Sequence, residues 1–150
     1  MGEPVTAISE SLYDRLQTEA FVLLHTIDAE HESPTSSAIS WVYAPDPQRL
    51  RIAIDGRSRI VANLTARSDV CVTVFAAGSV QAVYGQAALV TDQLNNVPFN
   101  IVCFDIHISA LRDAMFYGAR LAALPEYENT YDKRAAEKLD GQVFDAMKKA

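Results

Sequence analysis

The sequence predicts a mainly β domain, with six antiparallel strands curled into a closed or nearly closed barrel and helices at its flanks. Three observations predict it. Short runs rich in β-branched and aromatic residues recur along the chain, separated by turn-sized polar stretches. Several of these runs alternate large apolar side chains with small or polar ones at period two. Most of them follow one another directly, which favours antiparallel pairing, and six strands in 150 residues are better closed on themselves than left with long open edges.

The elements follow in chain order. From Ser9 to Ala20, Ile8, Leu12 and Leu16 fall four apart with Asp14, Arg15 and Glu19 between them, which predicts a helix over about 9–20. The continuous apolar run Phe21–Ile27 is the length of a buried strand. From Thr35 to Tyr43, Ser37, Ile39, Trp41 and Tyr43 share one face, while Ser36, Ala38 and Ser40 make the other almost flat. After the turn "PDPQ", Leu50, Ile52 and Ile54 alternate with Arg51 and Ala53, so two successive strands each have a face of small residues. Asp55-Gly56 is a turn signal, and Ser58 is placed to cap a helix carrying Ile60, Val61 and Leu64. "VCVTVFA" and "VQAVYGQAALV" are the fourth and fifth strands, and Gly85 inside the latter marks a bulge or a close backbone approach. The sixth, "NIVCFDIHIS", alternates Val102, Phe104, Ile106 and Ile108 with Ile101, Cys103, Asp105 and His107. "LRDAMFYGARLAAL" fits either an extension of that strand or a helix. Ala135, Leu139, Val143 and Met147 predict a C-terminal amphipathic helix over about 131–149. No internal repeat or linker divides residues 1–150, which are expected to form one domain.

Composition narrows the function. With 49% hydrophobic and 21% charged residues the chain belongs with globular proteins, not disordered ones. A formal net charge of −6 repels phosphate backbones and anionic membrane surfaces, so neither nucleic acid nor membrane is an expected partner. The N-terminal residues lack a basic-then-apolar leader pattern, and no apolar run is long enough to cross a bilayer. Cys71 and Cys103 are far apart in apolar runs and read as two buried free thiols, which points to a reducing, cytoplasmic location.

The chemistry concentrates in "DGRSRIVANL" (55–64). A strand-to-helix junction offers unpaired N–H groups and a partial positive charge to an anion. Arg57 and Arg59 beside Ser58 add charge-assisted bonds to a phosphate, while the small-residue faces nearby offer a wall for a planar ring. A solvated pair of arginines flanking a simple helix cap is the plainer reading of the same residues.

The succession "PTSSAISWVYA", "RLRIAI", "DGRSRIVANLTARSDVCVTVF" and "VYGQAALV" resembles the pyridoxamine 5'-phosphate oxidase-like family over roughly residues 10–110. The resemblance implies a six-stranded antiparallel split β-barrel with flanking helices, assembled as a homodimer with FMN bound between subunits. It implies a flavin-dependent oxidoreductase acting on a small-molecule substrate or electron acceptor. Ser58 and Arg59 match the family's phosphate-binding serine and basic residue, with Arg57 adjacent. Ser36, Ser37, Ala38, Ser40, Trp41 and Ala53 match the strand positions that line the flavin. Two positions depart from the pattern: Ile54 stands for a threonine and Ile60 for a lysine. Trp41 stands near the family's basic residue for pyridoxamine phosphate, so the resemblance does not carry that substrate over. The alternative is a non-catalytic dimer whose groove holds haem, another flavin-like ligand or no cofactor.

Other polar residues read more plainly. His25, His31, Glu30 and Glu32 lack a ligand spacing, so no metal site is expected. Asp105 and His107 share a strand face and are expected to form a hydrogen-bonded pair. No catalytic acid or base stands out.

Overall fold

The run Thr35–Tyr43, expected as one strand, is broken at Ser40 and Trp41, and this break organises the fold. The computed structural model describes residues 5–76 and 78–150. Among these, seven strands and three helices follow in the order α1 (Glu10–Arg15), β1 (Val22–Ile27), β2 (Pro34–Ile39), β3 (Val42–Asp46), β4 (Arg49–Asp55), α2 (Arg59–Ala66), β5 (Asp69–Ala76), β6 (Ser79–Thr91), β7 (Ile101–Asp113) and α3 (Lys133–Lys149). The seventh strand is the product of that break.

All seven strands belong to one sheet in the order β2-β1-β5-β6-β7-β4-β3, with every pairing antiparallel. Laid flat, the outer strands β2 and β3 would stand about 28 Å apart at the usual strand spacing. Yet Ile39 ends one and Val42 begins the other, and that stretch spans about 11 Å at most. The sheet must curl until its two edges nearly meet. The result is a barrel split between β2 and β3.

The interior is apolar. Val22 and Leu24 of β1, Leu50 and Ile52 of β4, Val72 and Val74 of β5 and Ile106 of β7 all have almost no exposure, and Leu12, Leu16, Ile60 and Leu64 from α1 and α2 join them. The expected alternation holds on β4 and β7: Leu50, Ile52, Ile54, Val102, Phe104 and Ile106 face inward. Their alternates Ala53, Ile101 and Cys103 face outward, where Val143 and Met147 of α3 cover them. The small-residue wall expected from Arg51 and Ala53 is therefore not an open surface; α3 lies on it.

Arg51 is central to that arrangement. Its guanidinium donates to both Asp105 oxygens (2.6 and 3.1 Å) and to the carbonyls of Met147 (2.9 Å) and Ala150 (3.0 Å) at the end of α3. Asp105 also accepts from Arg49 at 2.8 Å. The expected Asp105–His107 pair does not form, because two cations directly across the β4–β7 ladder claim the carboxylate.

Other boundaries differ from the sequence reading. α1 stops at Arg15 instead of continuing to about residue 20, because β3 recruits the carbonyl of Leu16 through the Ala44 N–H (2.9 Å). Leu111–Asp113 extend β7, and no helix forms between there and Asp132 among the described residues. At Gly85 the ladder to β7 shifts register, and a Cβ there would run into the His107 carbonyl, so both the bulge and the close approach are present. No helix among the described residues is long and apolar enough to cross a membrane.

Candidate functional site

At the split of the barrel lies a cleft of about 580 Å³. Its walls come from the end of β2 and the break after it (Ser37–Trp41), from the end of β4 (Ala53–Asp55) and from the start of α2 (Ser58, Ile60). Phe21, at the entry to β1, and Tyr127 and Asn129, from the connection before α3, complete it.

The turn out of β4 sets the lower corner. Gly56 donates its N–H to the Asn100 carbonyl (2.9 Å), and a Cβ at this position would stand 2.6 Å from the Asn100 side-chain nitrogen, so a larger residue would have to displace the Asn100 amide. Ser58 then caps α2 in extended backbone, its Oγ accepting from the Ile60 N–H at 3.1 Å. Its hydroxyl proton is left for another acceptor. Asn63, one turn on, ties the helix to the barrel by donating to Thr26 Oγ1 (3.1 Å) and accepting from the Ala29 N–H (2.9 Å).

Of the residues that the sequence points to, Ser37, Ala38, Ser40, Trp41, Ala53 and Ser58 come together in the cleft. Ser36 lies outside it, paired in register with His25 on β1. Arg57 and Arg59 flank the corner without lining it, because carboxylates hold both. Arg57 pairs with Asp55 (3.0 Å) and Arg59 with Asp28 (2.7 Å), and both arginine side chains are largely exposed. The Asp28 pKa is lowered from the ordinary aspartate value, first by the His31 backbone N–H and then by the His31 ring. Asp55 is lowered by the side chain and then the backbone N–H of Arg57.

Trp41 is oriented from behind by α3, its indole N–H donating to Asp140 Oδ1 at 2.8 Å. Ile54 and Ile60, the two departures from the family pattern, both line the cleft. The sequence reading missed Phe21, Asp55, Tyr127 and Asn129. Asp55 stood in the turn signal itself, whereas Tyr127 and Asn129 sit in a stretch with no periodicity.

The other candidates are engaged elsewhere. His25 Nε2 lies 2.8 Å from Thr73 Oγ1, and His31 Nδ1 lies 2.9 Å from Asp28. Cys71 and Cys103 are unpaired, and burial pushes the Cys103 thiol up to about 11.

A split barrel with a cleft at its split is the class that fold and site define. Solved structures give it a closer relation. The chain is similar to a candidate pyridoxamine 5'-phosphate oxidase from Lactobacillus delbrueckii, with a TM-score of 0.61 and 17% identity over 72% of this chain and 95% of that one. It is similar to general stress protein 26 from Bacillus anthracis (0.56, 14% identity, 69% and 91% covered). It is also similar to an F420 reductase (0.58, 16% identity, 70% and 98% covered). The chain thus has the pyridoxamine 5'-phosphate oxidase-like split-barrel fold. No protein-family model and no curated protein matches the sequence.

Proposed function

We propose that this protein binds FMN in the cleft and is a flavin-dependent oxidoreductase of an unidentified small molecule, working as a cytoplasmic homodimer. The observation that carries the reading is the junction of a strand-lined wall with a capped helix N-terminus. Ser37–Trp41 and Ala53 stand on one side and Ser58 on the other, within a volume typical of small-molecule sites.

The residues present fit the cofactor. Ser58 offers a hydroxyl proton to a phosphate; of the first-turn N–H groups of α2, that of Ile60 is taken by Ser58 Oγ and that of Val61 by the Ser58 carbonyl, which leaves that of Arg59. The Arg57–Asp55 pair is exposed, and such pairs contribute about 0–1 kcal/mol, whereas Arg59 is held by Asp28, whose side chain is largely buried. A charge-assisted bond to a phosphate contributes about 1.5–3 kcal/mol, so Arg57 is the guanidinium that gains by turning to the ligand. When bound, FMN supplies hydride or single-electron transfer. The chain's own part is to orient the ring against the wall that Trp41 and α3 fix, and to hold its anionic tail at the corner.

The dimer reading rests on the sheet's outer face. α3 covers β4 and β7, while Leu23, Ile27, Phe75 and Tyr84 on β1, β5 and β6 remain partly or largely exposed. Along that face Ser36, His25, Cys71 and Tyr84 form one register row that α3 leaves uncovered.

One observation favours a second reading. Ile54 and Ile60, in place of the threonine and lysine that the resemblance implies, give the cleft two apolar side chains near Ser58, which supports a planar ligand held by its ring, haem among them. Titration with FMN and with haemin, followed by visible absorbance, separates the two. Flavin uptake that weakens about tenfold or more in Ser58→Ala/Arg57→Ala supports the first reading. A Soret band without flavin uptake replaces it with the second.

A further inference from the structure

The connection between β7 and α3 supplies part of the cleft wall. Residues 114–132 carry no helix or strand, yet they are tied to the barrel by Ala114 N–H to Val80 O (2.7 Å) and Leu121 N–H to Gly78 O (2.8 Å). Tyr127 then packs against Phe21 in a tilted contact, ring centroids 6.0 Å apart at an interplanar angle of 36°, and Asn129 also lines the wall.

Phe21, Tyr127 and Asn129 also line the neighbouring hollow, so they are the partition between the two. That hollow carries Glu19, Glu126, Glu128 and Glu137 against Arg15 and Lys133, a surplus of two negative charges. In the cleft itself the lining carboxylate, Asp55, is paired with Arg57, so the surplus charge beside the partition is that of the hollow. A molecule lying against Tyr127 meets an aromatic face backed by this negative surplus, which disfavours anions and favours flat uncharged or cationic molecules.

We propose that Tyr127 and Asn129 are specificity-determining residues that admit an uncharged or cationic planar aromatic molecule to the cleft in preference to an anionic one. The proposal rests on the reading of the cleft as the reaction site. Tyr127 supplies a stacking face and Asn129 an amide that both donates and accepts.

Equilibrium dialysis of the full chain, with and without FMN, tests it with three probes: menadione, its sulfonated analogue and the cationic dye phenosafranine. Menadione and phenosafranine bind at least about tenfold tighter than the sulfonate, and the gap narrows in high salt. Tyr127→Ala weakens menadione about tenfold while Tyr127→Phe retains it; circular dichroism reports whether each variant is folded. Equal affinity for menadione and its sulfonate, an unchanged Tyr127→Ala, or no binding of any probe overturns the proposal. So does a Tyr127→Ala variant that loses FMN and menadione together, since Tyr127 would then hold the cofactor. If the wild-type chain takes no FMN yet shows the probe pattern, the flavin reading fails and the selectivity stands.

Discussion

Replacing Asp105 with alanine leaves the Arg51 guanidinium, only 7% exposed, without its carboxylate. Removing one partner of a buried ion pair costs about 3–5 kcal/mol, because the remaining charge is neither solvated nor compensated. Arg51 keeps its bonds to the Met147 and Ala150 carbonyls, which places the loss near the lower end, about 3 kcal/mol. For a chain of 150 residues that lowers Tm by about 6–12 °C. Arg51→Met should cost less, since Asp105 retains Arg49 at 2.8 Å. The double variant Arg51→Met/Asp105→Leu should recover to within about 1 kcal/mol of wild type, as apolar replacements of buried pairs commonly do. Urea denaturation measures all three. Trp41, the single tryptophan, hydrogen-bonds to Asp140 of α3, so its fluorescence follows the docking of that helix while far-ultraviolet dichroism follows the sheet. In Asp105→Ala the fluorescence transition should come first. An Asp105→Ala protein within about 1 kcal/mol of wild type, or a double variant no better than the single, would refute the reasoning.

Three further outcomes follow from other parts of the molecule. Gly85→Ala forces a methyl toward the His107 carbonyl and to 2.9 Å from Ile106 Cγ2, and should cost about 1–3 kcal/mol in urea denaturation with the m-value unchanged. Asp28 has a folded pKa below its ordinary value, so its contribution is present above about pH 4 and is lost as pH falls through the lowered value; Asp28→Asn should flatten the fall of Tm below pH 4. Cys103 is fully buried with its thiol raised to about 11, so in native protein at pH 8 it should resist iodoacetamide until urea opens the barrel, as mass spectrometry of the labelled peptide would show.

How far the fold was legible depends on where each residue finds its partner. β4 and β7 were readable because each has one face in the barrel and the other under α3, so the alternation of Leu50, Ile52 and Ile54 with Arg51 and Ala53 is a direct record of two environments. The break at Ser40–Trp41 left no such record. Alternation runs unbroken through Thr35–Tyr43, and the step from one sheet edge to the other is imposed by closure of a barrel four of whose strands, β4 to β7, come later in the chain. α1 was overextended for a related reason: its last carbonyl is claimed by Ala44, 28 residues on, a competitor that helical spacing cannot reveal.

The candidate site divides along the same line. Ser58 was legible because a cap is specified within a few residues, by Asp55-Gly56 before it and Ile60 after it. The charge of its corner was not, because a guanidinium's direction depends on which carboxylate is nearest. Arg57 finds Asp55 two residues back; Arg59 finds Asp28, 31 residues away on the turn after β1. The corner is therefore not a standing positive site: paired with Asp55 and Asp28, Arg57 and Arg59 leave the surface there close to neutral, which accounts for an acidic chain carrying two arginines at this spot.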